Sequence, residues 1–197
     1  RFDDCQGVEL LNCRMEAMPR DVGVLAAVSD CRDLRLEGNL FWGGAYHLRL
    51  DGRCRNVLVR NNTFARVNIY HAIITAGTDG ARFANNIFYL PCSPKKTNPR
   101  YFLRGDVKNF SSDYNLFFSP HAHQLAIGQF QNNARVTTLL ARDLDEWRDL
   151  TGYDRHSLAA DPLFELMPVG HGETNANFYL RPDSPALGAG ENGADIG

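Results

Sequence analysis

The sequence contains no stretch of about 18 apolar residues, which excludes a hydropathy-read helical membrane span. It has no charged-then-apolar start of the kind that marks an export signal, although a chain opening on Arg1 rather than Met is compatible with a leader lost upstream. Neither sign of charge dominates. With 21 basic and 23 acidic residues and a formal net charge of −2, the chain lacks the basic footprint of a nucleic-acid binder. Cysteine is scarce and odd in number: five residues with no C-x-x-C pair and no metal-ligand spacing, so neither a zinc site nor a complete disulfide framework is expected. There is also no phosphate-binding glycine loop and no G-x-S-x-G elbow. What is abundant is Gly (17 residues), Asn and aromatic residues (11%), the composition of β structure with many turns. The 197 residues fit one domain, or at most two small ones.

Four segments carry Asn, any residue, then Phe: Asn39-Leu40-Phe41, Asn62-Thr63-Phe64, Asn86-Ile87-Phe88 and Asn115-Leu116-Phe117, with Asn spacings of 23, 24 and 29. Short alternating apolar stretches precede them, as Leu34 and Leu36, Val57 and Val59, Ala81 and Phe83. A degenerate earlier copy places Val8, Leu10, Cys13 and Met15 against Leu34, Leu36, Asn39 and Phe41, and small residues align as Cys5, Cys31, Cys54 and Thr78. Strand-sized runs bounded by Gly, Asn and Asp argue against a helical repeat, and the coils lack a leucine-rich consensus. A β-solenoid remains, with coils about 4.8 Å apart and matching residues stacked. Each column then has a structural purpose. An Asn ladder satisfies its own buried amides, the bend asks for residues that tolerate the left-handed region, and the Phe column forms an interior stack. Cys5, Cys31 and Cys54 read as buried thiols, since side chains stacked in parallel suit a disulfide torsion poorly.

The strings NNTF, NNIF and DYNLFF, the passage EWRDLTGYDRHSLAADPLF, then FYLRPDSPALGAG and the final ADIG resemble the right-handed parallel β-helix proteins of the pectate-lyase-like superfamily. The resemblance implies an all-β, right-handed parallel β-helix with coils of about 24 residues, as a solenoid repeat suggests, a short C-terminal capping helix and an irregular tail. It places the coils over residues 1–118 and the last coil and cap over 119–197. It also implies a carbohydrate-active protein, extracellular or at the cell surface, whose partner is a polysaccharide. No cofactor is required by the sequence, and Ca²⁺ is compatible with it. Within the cap, Asp143-Leu144-Asp145-Glu146-Trp147 reads as a short helix with Asp143 as N-cap and Gly152 as its stop, and Trp147 covering the solenoid end. No N-terminal cap precedes the first coil, which predicts further N-terminal coils or another chain over its open edge.

Registering the coils on the cysteine column stacks His47-Leu48-Arg49-Leu50-Asp51 on His71-Ala72-Ile73-Ile74-Thr75 and then on Arg100-Tyr101-Phe102-Leu103-Arg104. Period two then sends Leu48, Leu50, Ala72, Ile74, Tyr101 and Leu103 inward, and His47, Arg49, Asp51, His71, Thr75, Arg100 and Arg104 outward. Eliminative cleavage of an acidic sugar needs a base and cations that stabilise enolate-like charge. His71 is the candidate base, with Arg100 and Arg104 as carboxylate clamps and His47 assisting. Arg49, Asp51 and Arg104, with Lys95 and Lys96 on the insert Pro91 to Pro99, are the candidate substrate contacts, and Trp42 is a candidate sugar-stacking ring. Hydrolysis would need two carboxylates about 5–9.5 Å apart, and only Asp51 and Asp106 lie near the stripe. Tyr46 and Tyr70 fall on the inward phase, and His121 and His123 lack a third ligand for a metal. A non-catalytic solenoid with a glycan-binding or purely structural role is the alternative function.

Overall fold

The computed structural model describes residues 1–17, 23–67, 69–75, 77–90, 100–105, 107–119, 130–132, 135–137, 143–166 and 177–197, with only the backbone described at 100–105, 130–132 and 135–137. The expected insert, with Lys95, Lys96 and Cys92, lies outside these residues, as do His121, His123 and Asp106.

Strands follow one another in triples. They are β1 (Phe2–Asp3), β2 (Glu9–Leu11) and β3 (Arg14–Glu16), then β4 (Val24–Ser29), β5 (Arg32–Glu37) and β6 (Leu40–Trp42), then β7 (Tyr46–Asp51), β8 (Arg55–Arg60) and β9 (Thr63–Ala65). The pattern continues with β10 (Tyr70–Ile74), β11 (Asp79–Ala84) and β12 (Ile87–Tyr89), and with β13 (Arg100–Gly105), β14 (Ser111–Asp113) and β15 (Leu116–Phe118). The chain ends with β16 (Phe130–Asn132), β17 (Arg135–Thr137), α1 (Leu144–Thr151), β18 (Leu158–Ala159), β19 (Phe164–Leu166) and β20 (Asn177–Leu180). Each triple gives one strand to each of three sheets, ordered β1-β4-β7-β10-β13-β16-β17, β14-β11-β8-β5-β2 and β18-β15-β12-β9-β6-β3. Within the triples every pairing is parallel, so the protein is a β-solenoid with coils of about 24 residues, as expected of a repeat in this range.

The corners explain the Asn-rich strings. Two columns of residues hold the left-handed region: Gly7, Asp33, Asn56, Gly80 and Asn109, and Asn12, Gly38, Asn61, Asn85 and Tyr114, with φ between 49° and 74°. In Asn61-Asn62 and Asn85-Asn86 the work is therefore divided. The first Asn takes the bend, and the second, whose φ is ordinary, builds the ladder. This refines the expectation that one Asn does both. At another corner Gly43 (φ 75°) is obligatory, since a Cβ there would sit 2.2 Å from the Ala17 carbonyl oxygen. Gly43→Ala should cost about 2 kcal/mol through strain and displaced backbone, read as a lowered denaturant midpoint with an unchanged slope.

The ladder is complete. The Asn39 amide nitrogen donates to Asn62 Oδ1 at 2.9 Å, Asn62 to Asn86 Oδ1 at 3.0 Å and Asn86 to Asn115 Oδ1 at 3.0 Å. Each of these oxygens also accepts the backbone N–H of the preceding rung, at 2.9–3.1 Å. Beside it Phe41, Phe64, Phe88 and Phe117 stack with centroids 4.6, 5.1 and 5.2 Å apart and planes within 14°. Cys31 and Cys54 are fully buried, and Cys5, Cys13, Cys31 and Cys54 are free thiols. Burial pushes the Cys31 and Cys54 thiols above their usual pKa.

The ladder ends on the C-terminal cap. Asn115 N–H donates to Ser157 Oγ (2.7 Å), and its amide nitrogen donates to Asp154 Oδ1 (3.1 Å). That oxygen also accepts from Ser112 Oγ (2.9 Å) and Ser157 Oγ (2.7 Å), while Trp147 Nε1 donates to Oδ2 (2.9 Å). Helix α1 forms as expected: Asp143 accepts from Glu146 N–H at 2.8 Å, Gly152 closes it at φ 73°, and Trp147 is buried. Arg148 then ties the helix to the Asp154 turn through the Asp154 and Ser157 carbonyls.

The third sheet is covered on its outer side as well. Trp42, Ala65, Ile87, Tyr89 and Leu116 pack there against Phe164, Ala186 and Ile196 of the chain end. Two-sided burial explains why β9 and β12 carry no exposed residue.

Candidate functional site

The expected stripe lies on the sheet that runs from β4 through β7, β10 and β13, and its phase needs correction at the strand starts. Pairing runs Tyr46 to Tyr70 and resumes at Leu48 to Ala72. His47 and Leu48 are both fully buried, so the alternation breaks where the strand leaves the corner. His47 and His71 therefore do not face solvent. Each lies against the Phe stack, His47 at 6.2 and 6.0 Å from Phe41 and Phe64 and His71 at 6.2 and 5.6 Å from Phe64 and Phe88. Their Nδ1 atoms are 3.1 Å apart, a geometry in which one ring donates and the other accepts. Burial pushes the His47 pKa down to about 3, against a smaller opposing contribution from the Gly43 backbone. Burial, and then the charge of His47, hold His71 well below its usual value. Both rings are neutral at pH 7, and a polymer on the surface cannot reach either.

The tyrosines are corrected in the opposite direction. Tyr46 and Tyr70 are half-buried rather than fully buried, and stack on each other at 6.3 Å and 13°. Further along the same strand, Arg49 and Asp51 point outward as expected and pair with each other at 2.6 Å. The third strand slips by one position: Arg100 is in register with Tyr70 rather than His71, Phe102 with Ala72, and Arg104 with Ile74. Arg100 thus falls in the tyrosine column, and Arg104 in the column of inward Leu50 and Ile74. Trp42 is not an open stacking ring. It is 9% exposed, with Phe178 at 5.2 Å and the Arg66 guanidinium at 5.3 Å from its ring. Thr75 Oγ1 is engaged with the Leu50 carbonyl at 3.2 Å.

The sequence reading passed over an exposed acid–imidazole pair. Asp113 Oδ2 is 2.8 Å from His156 Nδ1, and the His156 ring stacks on Tyr114 at 4.7 Å. These residues lie where DYN and DRHS meet in consecutive coils, and aligning DRHS with the ladder would have placed them together. Among the described residues no group of three His, Cys, Asp or Glu is placed to hold a metal ion, and no helix is long and apolar enough to cross a membrane.

No family model matches the chain, and neither a curated protein nor a solved structure matches it significantly.

Proposed function

We propose that this solenoid binds an extracellular polysaccharide on the outward face of the sheet containing β7 and β10. The observation that carries this reading is the stacked, half-buried pair Tyr46 and Tyr70 beside the outward Arg49–Asp51 ion pair. Aromatic faces accept the C–H faces of sugar rings, and an adjoining guanidinium and carboxylate offer donors and acceptors to hydroxyl groups. Coils about 4.8 Å apart repeat such contacts along the solenoid axis. Binding without catalysis is favoured by the burial of His47 and His71, which removes the base of the expected elimination.

A lyase reading draws on a different observation. Arg100 occupies the register position next to Tyr70, so a cation-bearing residue and a phenol share one column. Elimination would then use Tyr70 as the base and Arg100 as the carboxylate clamp.

Affinity electrophoresis against a broad polysaccharide panel tests binding. Tyr46→Ala and Tyr70→Ala should each weaken retention about tenfold, the loss of one aromatic anchor, without lowering the unfolding midpoint by more than a few degrees. A wild-type protein retained by no polysaccharide would overturn the reading. Release of ultraviolet-absorbing unsaturated ends from any retained polymer would favour the lyase over the binder.

A further inference from the structure

The five-stranded sheet carries its arginines in two distinct states. On its outward face Arg35 pairs with Glu37 and Glu9, Arg60 pairs with Glu37, and Arg82 pairs with Glu191. Arg32 and Arg55, which begin β5 and β8, are both exposed and stand in register on neighbouring strands. Neither has a carboxylate partner among the described residues. Two carboxylates of that corner accept from amides: Asp33 from Asn56 Nδ2 at 2.7 Å and from Gln6 Nε2 at 3.3 Å, and Asp79, opposite Arg55 on the next strand, from Asn109 Nδ2 at 2.8 Å. The following position in the column is the exposed Lys108, whose backbone pairs with that of Asp79. Arg32 and Arg55 thus stand directly opposite each other as like charges, an arrangement that disfavours pairing, with the Asp79 carboxylate on the far side of Arg55.

From this juxtaposition we infer that Arg32 and Arg55 form an anion-binding rung that takes carboxylate or sulfate groups of an acidic polysaccharide running along the solenoid axis. Guanidinium groups bind such oxyanions through paired N–H donors. Two of them about one strand spacing apart, roughly 4.8 Å, suit charges repeated along a polymer. The inference rests on the glycan-binding reading and narrows it to acidic glycans.

Two probes of the full chain separate this rung from the tyrosine face. In thermal unfolding, sulfate should raise the wild-type midpoint more than chloride at equal ionic strength, and the excess should be smaller in R32Q/R55Q; the variant comparison removes the general stabilisation that sulfate gives any fold. In affinity electrophoresis on polygalacturonate, R32Q/R55Q should be retained at least tenfold more weakly than wild type, and salt should weaken the wild type to the same level. Equal sulfate response and equal polygalacturonate retention in wild type and variant would overturn the rung. If Y46A/Y70A alone loses polygalacturonate, the glycan reading stands and the rung falls. If no polysaccharide is retained but the sulfate difference persists, the anion site stands and its glycan assignment falls. Retention of DNA as strong as that of polygalacturonate would likewise overturn the assignment to glycans.

Discussion

Asp154→Ala should lower the stability of the solenoid by about 3–5 kcal/mol, the cost of leaving buried polar partners without their charged acceptor. For a chain of this length that is a fall in melting temperature of about 10 °C or more. Asp154 is fully buried and accepts from Trp147, Ser112, Ser157 and Asn115. Alanine would take the acceptor from the indole N–H and from the Ser112 and Ser157 hydroxyls, would leave the Asn115 amide only Ser112 Oγ and the Phe83 carbonyl, and would loosen α1, which Arg148 ties to the same turn. Asp154→Asn is the informative companion. Its oxygen can keep the hydroxyl donors, but its NH₂ would oppose another donor, so a smaller loss is expected. The pH dependence distinguishes the carboxyl group from the carboxamide. Burial raises the Asp154 pKa above 3.8, against the hydrogen bonds that lower it. A raised carboxyl contributes stability that is fully present below 3.8 and is lost as pH rises through its folded value. That component is absent from the Asn variant. Equal melting temperatures for wild type and Asp154→Ala would show that the ladder does not depend on its terminal acid.

The repeat was legible because stacking makes chemistry periodic. NNTF and NNIF fixed the Asn and Phe columns, and both ladders run where those strings put them. Three features were not legible, each for a physical reason. The orientation of His47 and Tyr46 depends on a break of period two at a corner, where two consecutive residues turn inward, and composition carries no mark of it. The register of β13 follows an insert, and counting residues across an insert of unknown path is insecure by one position, enough to exchange His71 for Tyr70 beside Arg100. The burial of Trp42 comes from Phe178, more than a hundred residues later, through tertiary packing that no local pattern encodes. The end of the ladder was hidden differently. Ser157 and Asp154 do the work of an Asn with other functional groups, so a search for Asn stops one coil too early.

The buried imidazoles make the largest pH effect. The folded chain keeps His47 neutral down to about pH 3 and His71 neutral well below its usual range, whereas in the unfolded chain both titrate near pH 6.5. Above that value neither ring binds a proton in either state, and they impose no pH dependence. As pH falls below it, the unfolded chain gains up to two protons that the folded chain refuses. Stability then drops by up to about 1.4 kcal/mol per pH unit for each ring while it stays neutral, and by about 2 kcal/mol for His47 alone between pH 6.5 and 4.5. Replacing both rings with phenylalanine extends the interior stack and removes the titrating groups, so H47F/H71F should be more stable than wild type at pH 4.5. Denaturant midpoints measured across this range supply the comparison. Asp154 is common to both proteins, so its opposite pH dependence cancels in the difference between them. An NMR titration of the folded wild type is the second measurement, in which His47 should not change its shift above pH 5 and His71 should not titrate near its usual value. Parallel midpoint curves for the two proteins, or a buried ring titrating near 6.5, would mean that the histidines reach water and that the aromatic stack does not enclose them.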